Sequence, residues 1–451
     1  MNVSKNTGSA EILAKIFQSG VVGAGGAGFP THVKLTASAD TVILNGAECE
    51  PLLHKDKQLL TLYADKIVEG LKIARQLVQA KRVILGIKAK YTELIDLVSR
   101  SLDANMRIEG LPDAYPSGDE QTLVFQTTGR IIPPGKIPLN VGCVVMNVET
   151  AYNTAAAVLD DAPVTHKFVT ITGAVNRPIS VRVPLGATLG DCLKAAGGPA
   201  IEEFALVVGG VMMGKLANSV NDLVTKTTGG LIVLPEDHVV VRQMRRTFDD
   251  AKRIGRAACD QCSHCTELCP RYLLGHPVEP HRAMRSLIFS SEGKPAVPGT
   301  QFCCECNLCT RISCPEGLDP RAVMAKNKQE IFASGQRWTD APIQEYRSES
   351  LLPNRRTPTA RLISRLALTD YDRHADLVPN SIDVSRVGIV LKQHVGAPCV
   401  AVVKSGDPVR HGQIIGEVPV TDGKRALGVP VHSSIEGTVR AVENGIVWIE
   451  K

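Results

Sequence analysis

Two stretches decide how the middle of this chain folds: Cys259-Asp-Gln-Cys262-Ser-His-Cys265-Thr-Glu-Leu-Cys269-Pro270 and Cys303-Cys-Glu-Cys306-Asn-Leu-Cys309-Thr-Arg-Ile-Ser-Cys314-Pro315. Each run sets three thiols at successive two-residue gaps, so that one tight loop wraps a corner of a cubane. A fourth cysteine follows a short helical turn, and the proline after it ends the loop. Zinc also accepts four thiolates, but zinc ribbons use two separated pairs. The spacing therefore predicts two [4Fe–4S] clusters, with Cys259, Cys262, Cys265, Cys269, Cys303, Cys306, Cys309 and Cys314 as the metal ligands.

In two-cluster ferredoxins the fourth cysteine of each run ligates the other cluster. The same crossing here groups Cys259, Cys262 and Cys265 with Cys314, and Cys303, Cys306 and Cys309 with Cys269. Two features depart from the ideal: the gap between Cys309 and Cys314 is one residue longer than its counterpart, and Cys304 is spare. Cys304 is expected as a small buried hydrophobe, His264 as an exposed residue of the first loop, and Cys49, Cys143, Cys192 and Cys399 as packed thiols.

Working outward, 451 residues suggest roughly three to four domains. The 44% apolar content is enough for real cores, while 4% aromatics argues against stacking platforms for single-stranded nucleic acid. The net charge of +5 is spread without blocks, as on a solvated surface. No stretch suits a bilayer span and no secretory signal is visible, so a cytoplasmic location is expected. In a reducing compartment clustered cysteines read as metal ligands rather than disulfides.

Nearer the N-terminus, residues 9–18 read as a short amphipathic helix, followed by Gly20-Val-Val-Gly23-Ala-Gly25-Gly26-Ala-Gly28-Phe29-Pro30. Such a run brings bare backbone amides close to a ligand phosphate. A strand, Thr41-Val-Ile-Leu44, ends in Asn45-Gly46-Ala47-Glu48-Cys49-Glu50-Pro51, and polar groups at the carboxyl end of such a strand are where α/β sheets bind ligands. A helix near 57–79 and the apolar strand 82–87 complete a βαβ-like alternation.

The glycine run with Lys34, the strand end at 45–51 and Met146-Asn147-Val148-Glu149-Thr150 resemble the flavin-binding subunit of respiratory complex I. Together with Tyr115-Pro-Ser-Gly118-Asp119-Glu120 they resemble the RnfC component of the Rnf electron-transport complex still more. The resemblance implies FMN with its phosphate near Gly23, Gly25, Gly26, Gly28 and Lys34, and with Asn45, Glu48, Gly118, Asp119, Glu120 and Asn147 around the ring and ribityl chain. Phe29 and Glu50 match positions that seat NADH, Glu50 being the catalytic candidate. Ala47 stands where complex I has an acidic residue, which implies one polar contact fewer to the flavin.

The expected architecture is α/β and α+β multidomain: a Rossmann-like FMN/NADH-binding domain (1–162), a β-grasp soluble-ligand-binding module (163–245), a helical ferredoxin-like domain with two [4Fe–4S] clusters (246–335), a linker (336–382) and a C-terminal barrel-sandwich hybrid (383–451). Strands at 168–172 and 179–183 form the hairpin of the second module, a helix is expected near 188–196, and weak periodicity at 358–368 reads as a helix within a partly ordered linker. No lysine occupies a lipoyl-like hairpin tip in the last domain.

This module order resembles the cobalamin (corrinoid) reductases of propanediol-utilisation microcompartments. The resemblance implies electrons passing from NADH through FMN and the clusters to cobalamin, with a corrinoid adenosyltransferase and shell proteins as partners inside a bacterial microcompartment. Residues 9–18 are the candidate segment for recruitment to a shell, and His394, His411 and His432 read as surface histidines ahead of cobalt ligands. The competing expectations are an electron-transfer component of an Rnf-like complex with a non-corrinoid acceptor, and a non-enzymatic protein with structural or redox-sensing clusters.

Overall fold

The computed structural model describes residues 8–288, 297–335 and 346–451. In the first module, helices α1 (Ser9–Gln18) and α2 (Thr31–Lys34) flank the glycine run. Then come β1 (Thr41–Gly46), α3 (Lys55–Leu77), β2 (Arg82–Lys88), α4 (Thr92–Ser99), β3 (Met106–Leu111), β4 (Ala114–Tyr115), α5 (Glu120–Thr128), β5 (Cys143–Asn147) and α6 (Val148–Leu159). Four of these strands form a parallel sheet in the order β3-β2-β1-β5. Strand β1 is covered on both faces, so Val42, Ile43 and Leu44 form an unbroken apolar run. The register pairs Asn45 with Asn147, which sets both amides at the carboxyl edge of the sheet. Helix α1 buries Ile12 and Ile16 in the common core, so its apolar face is already used and does not stand free for a shell partner.

The second module contains β6 (His166–Gly173), β7 (Ile179–Pro184), α7 (Leu189–Ala195), β8 (Phe204–Val208), β9 (Lys215–Leu216) and β10 (Gly230–Pro235). β6 and β7 are the antiparallel hairpin read from the alternation, and Thr188 caps α7 through a reciprocal box with Asp191. The third module is helical: α8 (Val239–Met244), α9 (Phe248–Ala258), α10 (His264–Glu267), α11 (Pro270–Leu273), α12 (Pro280–Ser286) and α13 (Pro320–Ala333).

The stretch expected as a linker is instead a strap woven into two modules. Residues 336–345 of it lie outside the described residues. Further on, β11 (Thr357–Pro358) pairs with β4, α14 (Thr359–Arg365) follows, and β12 (Leu377–Ser381) adds an edge strand beside β7. The second-module sheet then runs β12-β7-β6-β10-β8-β9. Leu362, Leu366 and Leu368 are buried, but Arg, Ser and Thr between them dilute the pattern, and a two-residue strand has no readable period.

The C-terminal module is built from short strands: β13 (Arg386–Val390), β14 (Val400–Ala401), β15 (Pro408–Val409), β16 (Ile414–Glu417), β17 (Val420–Thr421), β18 (Lys424–Arg425), β19 (Val431–His432), β20 (Gly437–Glu443) and β21 (Ile446–Glu450). They form the sheets β13-β21-β20-β15 and β14-β16-β19 with the ribbon β17-β18.

The closest helix packing lies between α3 and α6, where a Cβ at Gly70 would stand 1.9 Å from the Ala151 carbonyl oxygen. Backbone cannot yield as a side-chain tip can. Gly70→Ala is expected to cost about 1–3 kcal/mol, read as a lower urea midpoint; an unchanged midpoint would refute this contact.

Candidate flavin pocket and cysteine loops

The glycine run folds back on itself through a Val22–Pro30 bridge, with the Gly23 amide donating to Phe29 O at 3.0 Å. Gly25 and Gly26 are exposed. A Cβ at Gly26 would meet nothing, whereas one at Gly25 would stand 2.9 Å from Asn147 Nδ2. The bare loop thus lies directly over the end of β5. Gly28 points elsewhere, into the C-terminal module, and its expected place in a phosphate cradle is taken by packing against Gln393 and His394.

Around this loop the sheet edge gathers most of the expected polar groups. Asn45 Nδ2 donates to Gly118 O at 2.8 Å, and Lys34 Nζ donates to Val145 O at 3.0 Å and lies 3.6 Å from Glu120. Asn147 caps α6 by accepting the Glu149 amide at 3.0 Å, while its Nδ2 donates to Asp56 at 2.8 Å. The Glu48 carboxylate accepts the Asp56 and Lys57 amides at 2.8 and 3.1 Å, closing the start of α3. Burial, and then Asp56, push the Glu48 carboxyl up to about 7.

Beneath the loop lies a buried charge cluster that sequence reading missed. Glu149 receives Lys55 Nζ at 3.2 Å and also pairs with Lys167, whose Nζ donates to Ala24 O at 2.9 Å. Glu149 stands in a quoted motif, but nothing in the local pattern marks Lys55 or Lys167 as buried.

Three modules meet on the far side. Both Glu50 oxygens accept main-chain amides of the second module, Met212 at 2.9 Å and Met213 at 2.8 Å. Burial raises this carboxyl despite the two donors. The Met212 carbonyl accepts Asn307 Nδ2 at 3.1 Å, and the Tyr115 hydroxyl donates to Cys306 O at 2.8 Å. Asp119 caps α5 through the Thr122 amide and holds the Arg271 guanidinium by two bonds, one of 2.8 Å. Burial alone would raise the Asp119 carboxyl; Arg271 outweighs it and holds the group below its usual range. Arg271 follows Cys269 by two residues, a position with no motif to single it out.

The two cysteine loops repeat one backbone path. Gln261 and Ser263 have φ of +60° and +68°, and the matching Glu305 and Asn307 have +57° and +69°. The extra residue before Cys314 is absorbed as a π-helical turn over Cys309–Ser313. Cys314 therefore ends at φ −75°, ψ 116°, close to the −69°, 120° of Cys269.

The thiols feel one another across the two runs. Burial, then Cys262, Cys314 and Cys259, push the Cys265 thiol up to about 12. Burial, then Cys303, Cys269 and Cys265, raise Cys309, and burial followed by Cys303 and Cys304 raises Cys269. Such a crowd of thiols suits a polycationic cluster, which needs thiolates and supplies the compensating charge. Among the described residues no group of three His, Cys, Asp or Glu side chains could hold a single metal ion; a cubane spreads its ligands wider than that. Cys304 packs against the apolar cluster as expected, and the neighbouring Cys306 lowers its thiol to about 7, against burial and with help from Arg271. His264 is exposed and lies 3.5 Å from Glu267.

Comparison with known proteins matches four segments of the chain. Residues 16–156 match the Nuo51 FMN-binding domain, 168–216 the SLBB domain, 258–319 the 4Fe-4S dicluster domain, and 378–449 the RnfC barrel sandwich hybrid domain. The cobalamin reductase PduS of Salmonella typhimurium is 38% identical over 99% of this chain and 98% of its own length. The chain belongs to the PduS cobalamin reductase family, an oxidoreductase family. The Citrobacter freundii PduS is also 38% identical, over 96% of this chain and 94% of its own length. The RnfC-type component of the Na(+)-translocating ferredoxin:NAD(+) oxidoreductase complex of Acetobacterium woodii is 34% identical over 58% of this chain and 58% of its own length.

In this cobalamin reductase family member two of the three candidate histidines of the C-terminal module are buried, and His411 is exposed. His394 and His432 are buried, and both His394 ring nitrogens lie 3.1 Å from backbone carbonyls, those of Val395 and Val429. His411 packs against His166 with ring centroids 5.7 Å apart. Among the described residues no helix is long and apolar enough to cross a membrane.

The Asp119–Arg271 pair is 14% and 8% exposed at its side chains. Asp119→Asn leaves a buried guanidinium without its counter-charge, and a loss of about 3–5 kcal/mol is expected. Because the folded carboxyl lies below its unfolded value near 3.9, the pair contributes fully at any pH above that value and fades only as pH falls through the folded pKa. Urea unfolding of both proteins from pH 8 to pH 5 should show a constant gap. A gap that closes near pH 6 would contradict this placement of the carboxylate.

Proposed function

We propose that the chain is an NADH-dependent cobalamin reductase, passing single electrons from FMN through two [4Fe–4S] clusters to a corrinoid and taking cob(III)alamin toward cob(I)alamin. The observation that carries this reading is one shared core. Cys49, Leu52 and Tyr115 at the carboxyl edge of the first module pack in the same apolar cluster as Cys304 and Cys306. A flavin and a cluster held by these residues would sit in adjoining shells of one protein interior.

On this reading the bare amides of Gly23, Gly25 and Gly26 and the Lys34 ammonium hold the FMN phosphate. Asn45, Glu48, Gly118, Glu120 and Asn147 line the rest of the pocket. Gly28 and Asp119 contribute indirectly, one through the C-terminal module and the other through the cysteine loop. Exposed Phe29 offers a face for the nicotinamide. Glu50 keeps the 211–213 loop in place as a wall of the same site. Cys303, Cys306, Cys309 and Cys269 form the inner ligand set. Cys259, Cys262, Cys265 and Cys314 form the outer one, where Cys262 is exposed. Held by these residues, a flavin would supply two-electron uptake from NADH and the clusters one-electron release, which would match a two-electron donor to a one-electron acceptor. The β-grasp character of the second module, a corrinoid adenosyltransferase and shell proteins as partners, and a microcompartment location belong to the same proposal.

A second reading, an Rnf-like electron carrier with a non-corrinoid acceptor, is favoured by the 34% identity to the Acetobacterium woodii protein. Anaerobic addition of NADH to protein reconstituted with iron, sulfide and FMN separates the two. Bleaching followed by reduction of added hydroxocobalamin is expected. Bleaching alone would favour the carrier, and no bleaching would remove the nicotinamide assignment. Cys262→Ala and Cys306→Ala should each lose iron and acceptor reduction while retaining some flavin. Unchanged iron in both variants would sink the ligand sets.

A further inference from the structure

Both ends of the glycine run are gripped from outside the first module. At its start, Lys226 is fully buried, and its Nζ donates to Gly20 O at 2.7 Å and to Pro430 O at 3.3 Å. Among the described residues no carboxylate pairs with this ammonium. Gly20 adopts φ +69°, and a Cβ there would stand 2.7 Å from both Lys226 Nζ and Pro430 O. At the other end, the Gly28 carbonyl accepts the Val395 amide at 3.3 Å. Gly28 has φ +77°, and its Cβ would stand 3.1 Å from both Gln393 O and His394 Cα, and 3.2 Å from Thr227 Cγ2.

Gln393 joins the two grips. Its Oε1 accepts the Lys226 amide at 3.0 Å, and its Nε2 donates to Val390 O at 3.0 Å. A further strut lies outside, where the Arg425 guanidinium sits 4.4 Å from the Phe17 ring of α1. The run between Gly20 and Gly28 is therefore bounded by residues far away in sequence. Its open positions, Gly25 and Gly26, lie between the two fixed ends.

We infer that the C-terminal module, together with Lys226 of the second module, is a structural half of the flavin site: Lys226, Gln393 and Val395 bracket the run and hold its amides in the ligand-binding shape before the flavin arrives. This rests on the FMN reading above. A glycine-rich loop loses more backbone freedom on ordering than any other sequence. Paying that entropy during folding, through the bracket, leaves more of the contact energy for the ligand. Lys226, Gln393 and Val395 are positioning residues in this scheme. The module's contribution is flavin retention.

The test uses the full chain, loaded with iron and sulfide but free of flavin, titrated with FMN by fluorescence quenching. Val395→Pro removes the amide donor to Gly28, and Lys226→Met removes the ammonium while keeping the apolar stem. Each should raise the FMN dissociation constant roughly tenfold, with iron and sulfide per chain and the thermal melt unchanged. Val395→Ala keeps the amide and should bind FMN as the unaltered chain does. Gln393→Ala is the milder substitute wherever a variant loses iron, since it cuts two bracket bonds without altering backbone or charge. An unchanged dissociation constant in the iron-replete variants would overturn the bracket, as would iron and flavin falling together in every variant. Failure of the unaltered chain to bind FMN would show at the outset and would remove the flavin reading as well.

Discussion

Glu149 is 1% exposed and meets two lysine ammonium groups, Lys55 from the first turn of α3 and Lys167 from β6 of the next module. A buried carboxylate left unpaired would cost several kcal/mol, so this cluster is tolerated only when complete. Completeness is a geometric demand. It fixes the start of α3 against the start of α6 and presses the second module's first strand onto both. The Phe168 amide adds a bond to Glu149 at 3.1 Å, and Lys167 reaches on to Ala24 O, so the glycine run takes its position from the same centre. The two lysines respond differently. Burial brings Lys167 down to about 8, with Glu149 opposing, whereas Asp56 and Glu149 together outweigh burial at Lys55 and raise it. Lys167 is thus the less securely charged member and the one nearest the loop.

From that centre outward, contacts between modules do as much as contacts within them. Glu50, Met212 and Asn307 come from three modules and close on one another through main-chain bonds. The strap pairs β11 with β4 of the first module and adds β12 to the second-module sheet, so chain that comes after the cysteine loops completes both pairings. Consequently the setting of the glycine run belongs to no single module. Its floor is the first-module sheet edge, its underside is the Lys167 strand, and its two ends are pinned by Lys226 and the C-terminal strands.

This explains which parts are legible in the sequence. The cysteine spacing, the parallel strands and the βαβ alternation are local patterns with fixed periods, and β1, β2, α3 and the β6–β7 hairpin lie where those periods place them. Asn45, Glu48, Gly118 and Asn147 gather at one sheet edge because strand ends collect what their motifs carry. Arg271, Lys167 and Lys226 are not legible: a long cation is ordinarily a surface residue, and burial of one is decided by partners scores of positions away. The strap reads as linker for the same reason, since its strands pair only with distant elements. The longer second cysteine run is the instructive case. Counting residues leaves the aim of Cys314 open, while the π-helical turn takes up the extra residue and returns Cys314 to the backbone conformation of Cys269.

Those two runs are near copies in spacing and in backbone, yet their surroundings differ. The loop around Cys306 is tied to the first module by the Tyr115 hydroxyl, to the second by Asn307, and lies beside the Arg271–Asp119 bridge. Among the described residues no side-chain bond of the loop around Cys262 reaches the first or second module, although Arg355 of the strap pairs with Glu267, and Cys262 itself is exposed while Cys306 and Cys309 are buried. Equivalent sequence thus yields inequivalent sites, because the neighbours, not the ligands, set burial and polarity. For an iron–sulfur centre these are the quantities that set its potential and its access to solvent. The Cys306 loop is shielded beside the sheet edge, and Cys262 lies at the surface. The asymmetry comes from Tyr115, Asn307 and Arg271, three residues outside every cysteine ligand position.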